Sequence, residues 1–486
     1  MTWALSLLLL TTPLVDAVKQ HDLAVVGALL QQHVDVNAPD GDGATALHWA
    51  VYGDDAQLVD LLIAAGAKAD VANDLAITPL HLASVNGNVA IVKRLLDKGA
   101  NPNAASETGV TPLMESARSG SVDVVRALLA RGANVNVKER DREQTPLMWA
   151  VARQHPGVVK VLVDHGADLH ARSRVRNLTV MLDQGPRRSV KTAKQDAKRI
   201  SSGASTPLLF AAQTGDVQSV RHLLTAGANP NDTGADGNSA VVTAIFSGHS
   251  AVAQALLAAG ADPEAAGGGY APLHIAVLRG DGATMSALLA KGANPNALIT
   301  KGSPVRRFGS QWAVPTPMVG ATPLLVAATF LEVECIRLLL AAGANSVIGL
   351  PNGTTPLLAA AGVAVEKEAR PSDLARWNIV DSDQPAIPRD ERDVVEAVGL
   401  LLGGGADVNH ANAVGDTALH AAAGAGMTTV IQLLADKGAR LDVKNKAGQT
   451  PLALTLPRGA QTQGRLPAAP GFKAAEDLLR QLGATQ

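Results

Sequence analysis

The stretch Thr45–Gly53, TALHWAVYG, returns 33 residues later as TPLHLASVNG and 33 further on as TPLMESARSG. A chain that rewrites one phrase at such an interval folds as stacked supersecondary units, each burying its apolar face only against its neighbours. The Thr that opens the phrase, or its substitute, falls at Thr12, Thr45, Thr78, Thr111, Thr145, Thr206, Ser239, Ala271, Thr322, Thr355, Thr417 and Thr450. Successive intervals are 33, 33, 33, 34, 61, 33, 32, 51, 33, 62 and 33, so each of the three long ones is a period plus an insertion. Twelve registered units make a solenoid.

The physics of one unit is readable. The opening Thr stands where a helix N-cap belongs, with Pro at the first helical position. Leu80 and Ala83, three apart, place an apolar stripe on one helix face. Gly87, Gly120, Gly215, Gly248 and Gly280 mark a tight turn to an antiparallel second helix, where a positive φ costs Gly little. A second phrase closes each unit, as in LLDKGANPN and LLARGANVN. Its Leu pair ends the second helix on the buried side, and Gly-Ala caps that helix in the left-handed conformation. The last helix, in KAAEDLLRQLGATQ, keeps Leu478, Leu479 and Leu482 on one side and Glu476, Asp477 and Arg480 on the other, as a terminal cap needs.

Thr-Pro-Leu-His, a mid-unit Gly and a terminal Leu-Leu-x-x-Gly-Ala-Asp/Asn resemble the signature of the ankyrin-repeat family, from residue 12 to 484. The resemblance implies an all-α repeat fold, an ankyrin solenoid of about twelve helix-turn-helix plus β-hairpin units. Spellings such as GATPL and VRALL resemble those of bacterial arrays. It also implies a bridging role for His48, His81, His274 and His420, the fourth residue of the phrase, with each imidazole bonded to neighbouring backbone.

The expected organisation is residues 1–11 as an apolar lead-in or the end of a signal segment, repeats 1–5 over 12–171, a basic insertion over 172–203, repeats 6–8 over 204–297, a basic and aromatic insertion over 298–319, and repeats 9–12 over 320–486 with further insertions near 363–391 and 457–471. The first apolar run, Trp3 to Leu10, is too short to span a bilayer, and the first basic residue after it is Lys19. Cytoplasmic and exported placements both stay open, the missing basic flank favouring the former.

Composition narrows the function classes. The net charge of −2 and a pI near 6.6 argue against wholesale nucleic-acid or membrane binding. The single cysteine, Cys335, rules out an intramolecular disulfide and any cysteine-based zinc site. The histidines of the phrase recur at the repeat period, so they stack in separate units and do not converge on a metal. Gly267–Gly269 and Gly403–Gly405 lack the strand before and the Gly-Lys-Ser/Thr after that a phosphate loop needs. No catalytic constellation is visible, so the reading is non-enzymatic, without cofactor or metal.

Function then belongs where the chain departs from the repeat. The first insertion carries nine Lys/Arg against Asp183 and Asp196. The second holds Arg306 and Arg307 beside Phe308 and Trp312, residue types that anchor interfaces. Both extend inter-repeat hairpins and so share a rim, whereas the insertion at 363–391 lies between two helices of its unit and belongs on the other. In the ankyrin pattern the two residues before the mid-unit Gly face the concave groove. There Lys19, Arg118, Arg153 and Arg279 are basic and no position is acidic, with Tyr52, Phe246 and Phe330 among the rest. Trp49 and Trp149 read as inter-repeat packing. The expected function is a scaffold binding a protein partner with an acidic segment through Tyr52, Arg118, Arg153, Phe246, Arg279, Phe330 and the second insertion. The alternative is nucleic-acid or polyanion binding through the basic insertions.

Overall fold

The computed structural model describes residues 12–181, 197–301, 318–363, 390–456 and 470–485. Its helices fall in twelve consecutive pairs, one per opening Thr. In chain order the first six pairs are α1 (Pro13–Lys19) with α2 (Leu23–Gln31), α3 (Ala46–Tyr52) with α4 (Ala56–Ala64), α5 (Pro79–Asn86) with α6 (Val89–Asp97), α7 (Pro112–Ser119) with α8 (Val122–Ala130), α9 (Pro146–Ala152) with α10 (Pro156–Asp164), and α11 (Pro207–Thr214) with α12 (Val217–Thr225). Strands β1 (Arg176–Met181) and β2 (Ala197–Ser202) pair with each other between α10 and α11. The remaining pairs are α13 (Ala240–Phe246) with α14 (Ser250–Ala258), α15 (Pro272–Leu278) with α16 (Gly282–Ala290), α17 (Pro323–Phe330) with α18 (Val333–Ala341), α19 (Pro356–Ala361) with α20 (Glu391–Gly403), α21 (Ala418–Ala425) with α22 (Thr428–Asp436), and α23 (Pro451–Thr455) with α24 (Pro470–Gln481). By contacts the chain divides into unit 1, residues 1–176 and 203–235, and unit 2, residues 177–202 and 236–486.

From α3 onward the opening residue caps each first helix in one of two ways, whereas Thr12 before α1 makes no side-chain cap bond. Where Met, Leu, Val or Ala stands three residues on, the Thr or Ser hydroxyl accepts that residue's backbone N–H, as Thr111 does from Met114 at 3.4 Å and Thr322 from Leu325 at 3.2 Å. Where His stands there, the ring takes over. Thr45 N–H donates to His48 Nδ1 at 3.1 Å, which leaves Nε2 to donate to the Ile77 carbonyl of the next repeat at 3.0 Å. His81 repeats this with Val110 O at 3.1 Å and His420 with Gln449 O at 3.1 Å. In the eighth unit Ala271 offers no hydroxyl, but its N–H still donates to His274 Nδ1 and Nε2 reaches Ala321 O at 3.2 Å. The histidines therefore bridge repeats through backbone. Burial pushes His48 and His81 below the ordinary histidine range, and pushes the fully buried His274 down to about 4.

First helices approach one another closely because the fifth residue after the opening Thr is small. Ala50, Ala83, Ser116, Ala150 and Ala211 in unit 1 are completely buried. In unit 1 the first helices pack against their neighbours more extensively than the second helices do, so the first-helix side is the concave one. The mid-unit turn keeps a left-handed residue even where Gly is replaced, with φ of 55° at Asp54 and 56° at Leu331.

Of the segments between repeats, expected as β-hairpins, the one between α10 and α11 carries the paired strands β1 and β2, and Thr233 and Ser239 stand at single bridge positions; the others are turns among the described residues. In unit 1 the fingers close on themselves by a backbone bond such as Ser106 N–H to Val110 O, and consecutive fingers are stitched by one more. Asp74 N–H to Asp42 O (3.2 Å), Glu107 N–H to Leu75 O (3.3 Å), Arg140 N–H to Thr108 O (2.8 Å) and Arg174 N–H to Arg142 O (2.7 Å) run in series along unit 1. The final Asn of the second phrase adds a side-chain rung. Asn103 donates to Gly132 O at 2.9 Å and accepts from Asn134 N–H at 2.7 Å, and Asn136 and Asn409 do likewise.

On α24, Ala475 and Leu479 are fully buried while Lys473–Asp477 and Glu476–Arg480 pair on the outside.

Candidate partner-binding surface

The concave face of unit 1 is built by two positions of the first helix, four and seven residues after the opening Thr. The inner one carries Trp49, Leu82, Glu115, Trp149 and Phe210, all half-buried. Tyr52, Val85 and Arg118 occupy the outer one and are exposed, Tyr52 to 66%. Tyr52 packs edge-on against Trp49, centroids 5.8 Å apart, so α3 presents an aromatic pair.

The basic residues read from the sequence are mostly neutralised by partners. Lys19 pairs with Asp40 at 3.3 Å and lies over the Trp49 ring, 4.1 Å from its centroid. Trp49 Nε1 donates to the same carboxylate at 2.8 Å. Burial works to raise the Asp40 pKa, and the bonds from Trp49, Asp42 N–H, Ala44 N–H and Lys19 together outweigh it, holding the group below the ordinary carboxylate range. Arg118 pairs with Glu115, one turn back on α7, at 2.6 Å. The exposed Arg153 has no carboxylate partner among the described residues, and beside it on α9 the buried Trp149 Nε1 finds no acceptor. Trp149 lacks what Trp49 has because Glu139, which closes its finger as Asp40 closes the earlier one, turns both carboxylate oxygens onto the N–H groups of Asp141, Arg142 and Gln144.

In unit 2, Phe246 and Phe330 are half-buried. The Arg279 guanidinium lies against Gly248, and its charge adds to the bonds from Ser250 and Thr284 that keep Asp281 low against the opposing effect of burial. The residues Arg306, Arg307, Phe308 and Trp312 lie outside the described residues. The ends of their insertion are pinned: Ile299 N–H donates to Ala321 O at 3.0 Å, and Ile299 and Met318 are buried.

The ends of the first insertion belong to the scaffold. Arg172 donates to Ala204 O (2.8 Å) and Thr233 O (2.7 Å) and approaches Asp232, while Arg174 pairs with Glu143 at 3.0 Å. Ser173 N–H to Ser205 O and Ser201 to Asn177 set an antiparallel register for β1 and β2.

Sequence reasoning missed Leu75, a finger-tip residue 61% exposed, and the carboxylate partners of Lys19 and Arg118. Leu75 was visible as an apolar residue three before the opening Thr, where most repeats place a polar or small one.

Among the described residues no group of three or more His, Cys, Asp or Glu is placed to hold a metal, and no helix is long and apolar enough to cross a membrane. Cys335 is buried, and burial raises its thiol to about 12. An open trough of about 530 Å³ on the second-helix side of unit 2 exists because Gly399, Gly403 and Gly404 leave α20 bare beside Leu340 and Leu400.

Ankyrin-repeat models of three copies each match residues 14–106, 52–139, 100–173, 191–267, 208–299 and 390–460, well over half of the chain. The chain belongs to the ankyrin-repeat family, whose repeats generally mediate protein–protein interaction. Among solved structures, the crystal structure of the human ASB11 ankyrin repeat domain is 27% identical, covering 52% of this chain and 100% of that one at a TM-score of 0.42. No protein of curated function matches the chain.

Proposed function

We propose that the chain is a non-enzymatic scaffold that binds a protein partner on the concave face of unit 1, with an acidic partner segment meeting Arg153. The observation that carries this reading is Arg153, an exposed guanidinium without a carboxylate partner, next to a tryptophan whose indole N–H has no acceptor. A partner carboxylate would meet the exposed guanidinium, and a charge-assisted bond to Arg is among the stronger polar contacts a surface offers. Tyr52 and Arg118 extend the same face, Arg118 already shared with Glu115. Phe246, Arg279, Phe330 and the second insertion, with Arg306, Arg307, Phe308 and Trp312, form a further proposed contact region in unit 2.

The test is affinity capture from an extract of the native organism at low and high salt, comparing the intact chain with Arg153→Glu. A protein retained by the intact chain, released by salt and lost from the variant supports the reading. Equal retention by both chains would place binding elsewhere.

A further inference from the structure

Three consecutive fingers of unit 1, residues 38–44, 70–77 and 103–110, contain five carboxylates and no lysine or arginine. Asp40 is occupied by Lys19 and Trp49, and Asp70 accepts the Asn101 N–H. Asp42, Asp74 and Glu107 are exposed, and their side chains have no hydrogen-bonded or ion-paired partner among the described residues. The bonds from Asp74 to Asp42 and from Glu107 to Leu75 put these three on successive, directly stitched fingers. In the same stretch stand the most exposed large apolar side chains of the described residues, Tyr52 at 66% and Leu75 at 61%, with Val85 at 40%. Large apolar side chains left exposed beside charge mark an interaction surface.

The charge selects the occupant. A second copy docked by the same face would bring three more carboxylates against these, because a two-fold interface sets like residues against like. An acidic segment meets the same repulsion. Lys19 displays the favourable case: one ammonium held between a finger carboxylate and a first-helix indole. Asp42 and Asp74 offer the same carboxylate chemistry with no internal cation to fill it, and the Arg140 guanidinium beside Glu107 is spent on that residue's backbone carbonyl at 2.9 Å.

We infer that this face docks a basic partner segment with an apolar centre, its apolar side chains on Tyr52, Val85 and Leu75 and its Lys or Arg side chains toward Asp42, Asp74 and Glu107. The inference rests on the scaffold reading above and adds to it a binding end of opposite charge to Arg153. A single partner spanning unit 1 is then basic at one end and acidic at the other.

The experiment titrates the full chain into a fluorescein-labelled short peptide of alternating Lys and Leu pairs, and into its Glu-for-Lys counterpart. Anisotropy is read at about 50 mM and about 300 mM salt, a range that shortens the screening length roughly from 14 to 6 Å. The Lys/Leu peptide binds at least about tenfold more tightly than the Glu/Leu peptide at low salt. The triple variant Asp42→Asn, Asp74→Asn, Glu107→Gln loses about tenfold in affinity and most of the salt dependence. Tyr52→Ser with Leu75→Ser loses a similar factor and keeps the salt dependence. All five substitutions fall on exposed side chains, and unchanged circular dichroism verifies that the variants fold.

Equal affinity for the two peptides, no saturable binding, or wild-type affinity in both variants overturns the inference. So does Lys/Leu binding that emerges only when residues 182–196 are replaced by Asn-Gly, which would make the chain's own basic insertion the occupant. A concentration-dependent dimer in sedimentation that the triple variant abolishes would name a second copy and overturn it equally. Arg153→Glu leaves Lys/Leu affinity within about twofold. Failure of the capture experiment and failure of this inference are thereby read separately.

Discussion

Units 1 and 2 obey the same repeat yet present different faces. From α3 onward the opening Thr or its substitute caps the first helix, and in both units the Leu or Val two residues on is buried and the fifth residue is small. Seven residues after the opening Thr they part. Unit 1 exposes Tyr52 and Val85 there, whereas unit 2 half-buries Phe246 and Leu278, buries Thr329, and has Gly362 and Gly424. Among the described residues of unit 2, the exposed large apolar ones, Leu298, Val347 and Val414, lie instead in the segments between repeats. Positions that stacking uses are alike because each must fit both neighbours. Positions that stacking leaves free carry the difference, and a partner reads those.

The largest effect is expected where stacking is attacked directly. Leu113 is 1% exposed in the first turn of α7, a helix packed against α5 and α9. Leu113→Ala should cost about 2–5 kcal/mol. Because repeat stability is a sum over units and their interfaces, the loosening should centre on α5 to α9 and fade over the next repeats. Hydrogen exchange with urea unfolding measures both. A loss spread evenly over all of unit 1 would contradict nearest-neighbour stacking.

Much of this was legible in the sequence, for a physical reason. Caps, small residues and left-handed glycines are local demands, so the opening Thr alone set the position of every helix pair. Contacts between repeats were less legible. The bridging histidines could be placed only by family resemblance, and the finger stitches are backbone bonds that no side chain announces. The groove charge was misjudged because only the two residues before the mid-unit turn were read. Glu115 lies one turn back from Arg118, and Asp40 lies in the finger below Lys19. Arg306, Arg307, Phe308 and Trp312 remain expectations from composition.

Acid should separate the two kinds of cap. His274 accepts from Ala271 N–H on Nδ1, so protonating that nitrogen breaks the bond inside a fully buried site. The unfolded chain takes up this proton near pH 6.5 and the folded chain only near about 4. Between those values the unfolded state binds more protons, so the contribution is fully present above pH 6.5 and is lost as pH falls toward 4. The loss amounts to roughly 3 kcal/mol at most. His274→Leu copies the residue found at Leu209, Leu325 and Leu358, where other repeats cap without an imidazole. It leaves Ala321 O with its bond from Ile299 N–H. Urea unfolding at pH 7 and at about pH 4.5 should show a flatter pH slope for the variant. An unchanged slope would shift the acid sensitivity to other groups.

The smallest effect is expected at the first insertion, and there the structure moves the boundary. Read from sequence, residues 172–203 were a removable extension. Arg172 and Ser173, however, tie their finger to Ala204, Thr233 and Ser205, so excising the whole stretch removes bonds that unit 1 uses. The register that sets Ser173 opposite Ser205 and Asn177 opposite Ser201 brings Met181 opposite Ala197. A two-residue Asn-Gly turn can close strands at that register. Replacing residues 182–196 by Asn-Gly should therefore leave helical circular dichroism unchanged and the unfolding free energy within about 0.5 kcal/mol. Deleting 172–203 should cost more, about 1–3 kcal/mol, because Asp232 then stays buried without its arginine. Equal stability of the two deletions would show that Arg172 contributes nothing to unit 1. A helicity loss in the shorter one would make residues 182–196 part of the scaffold.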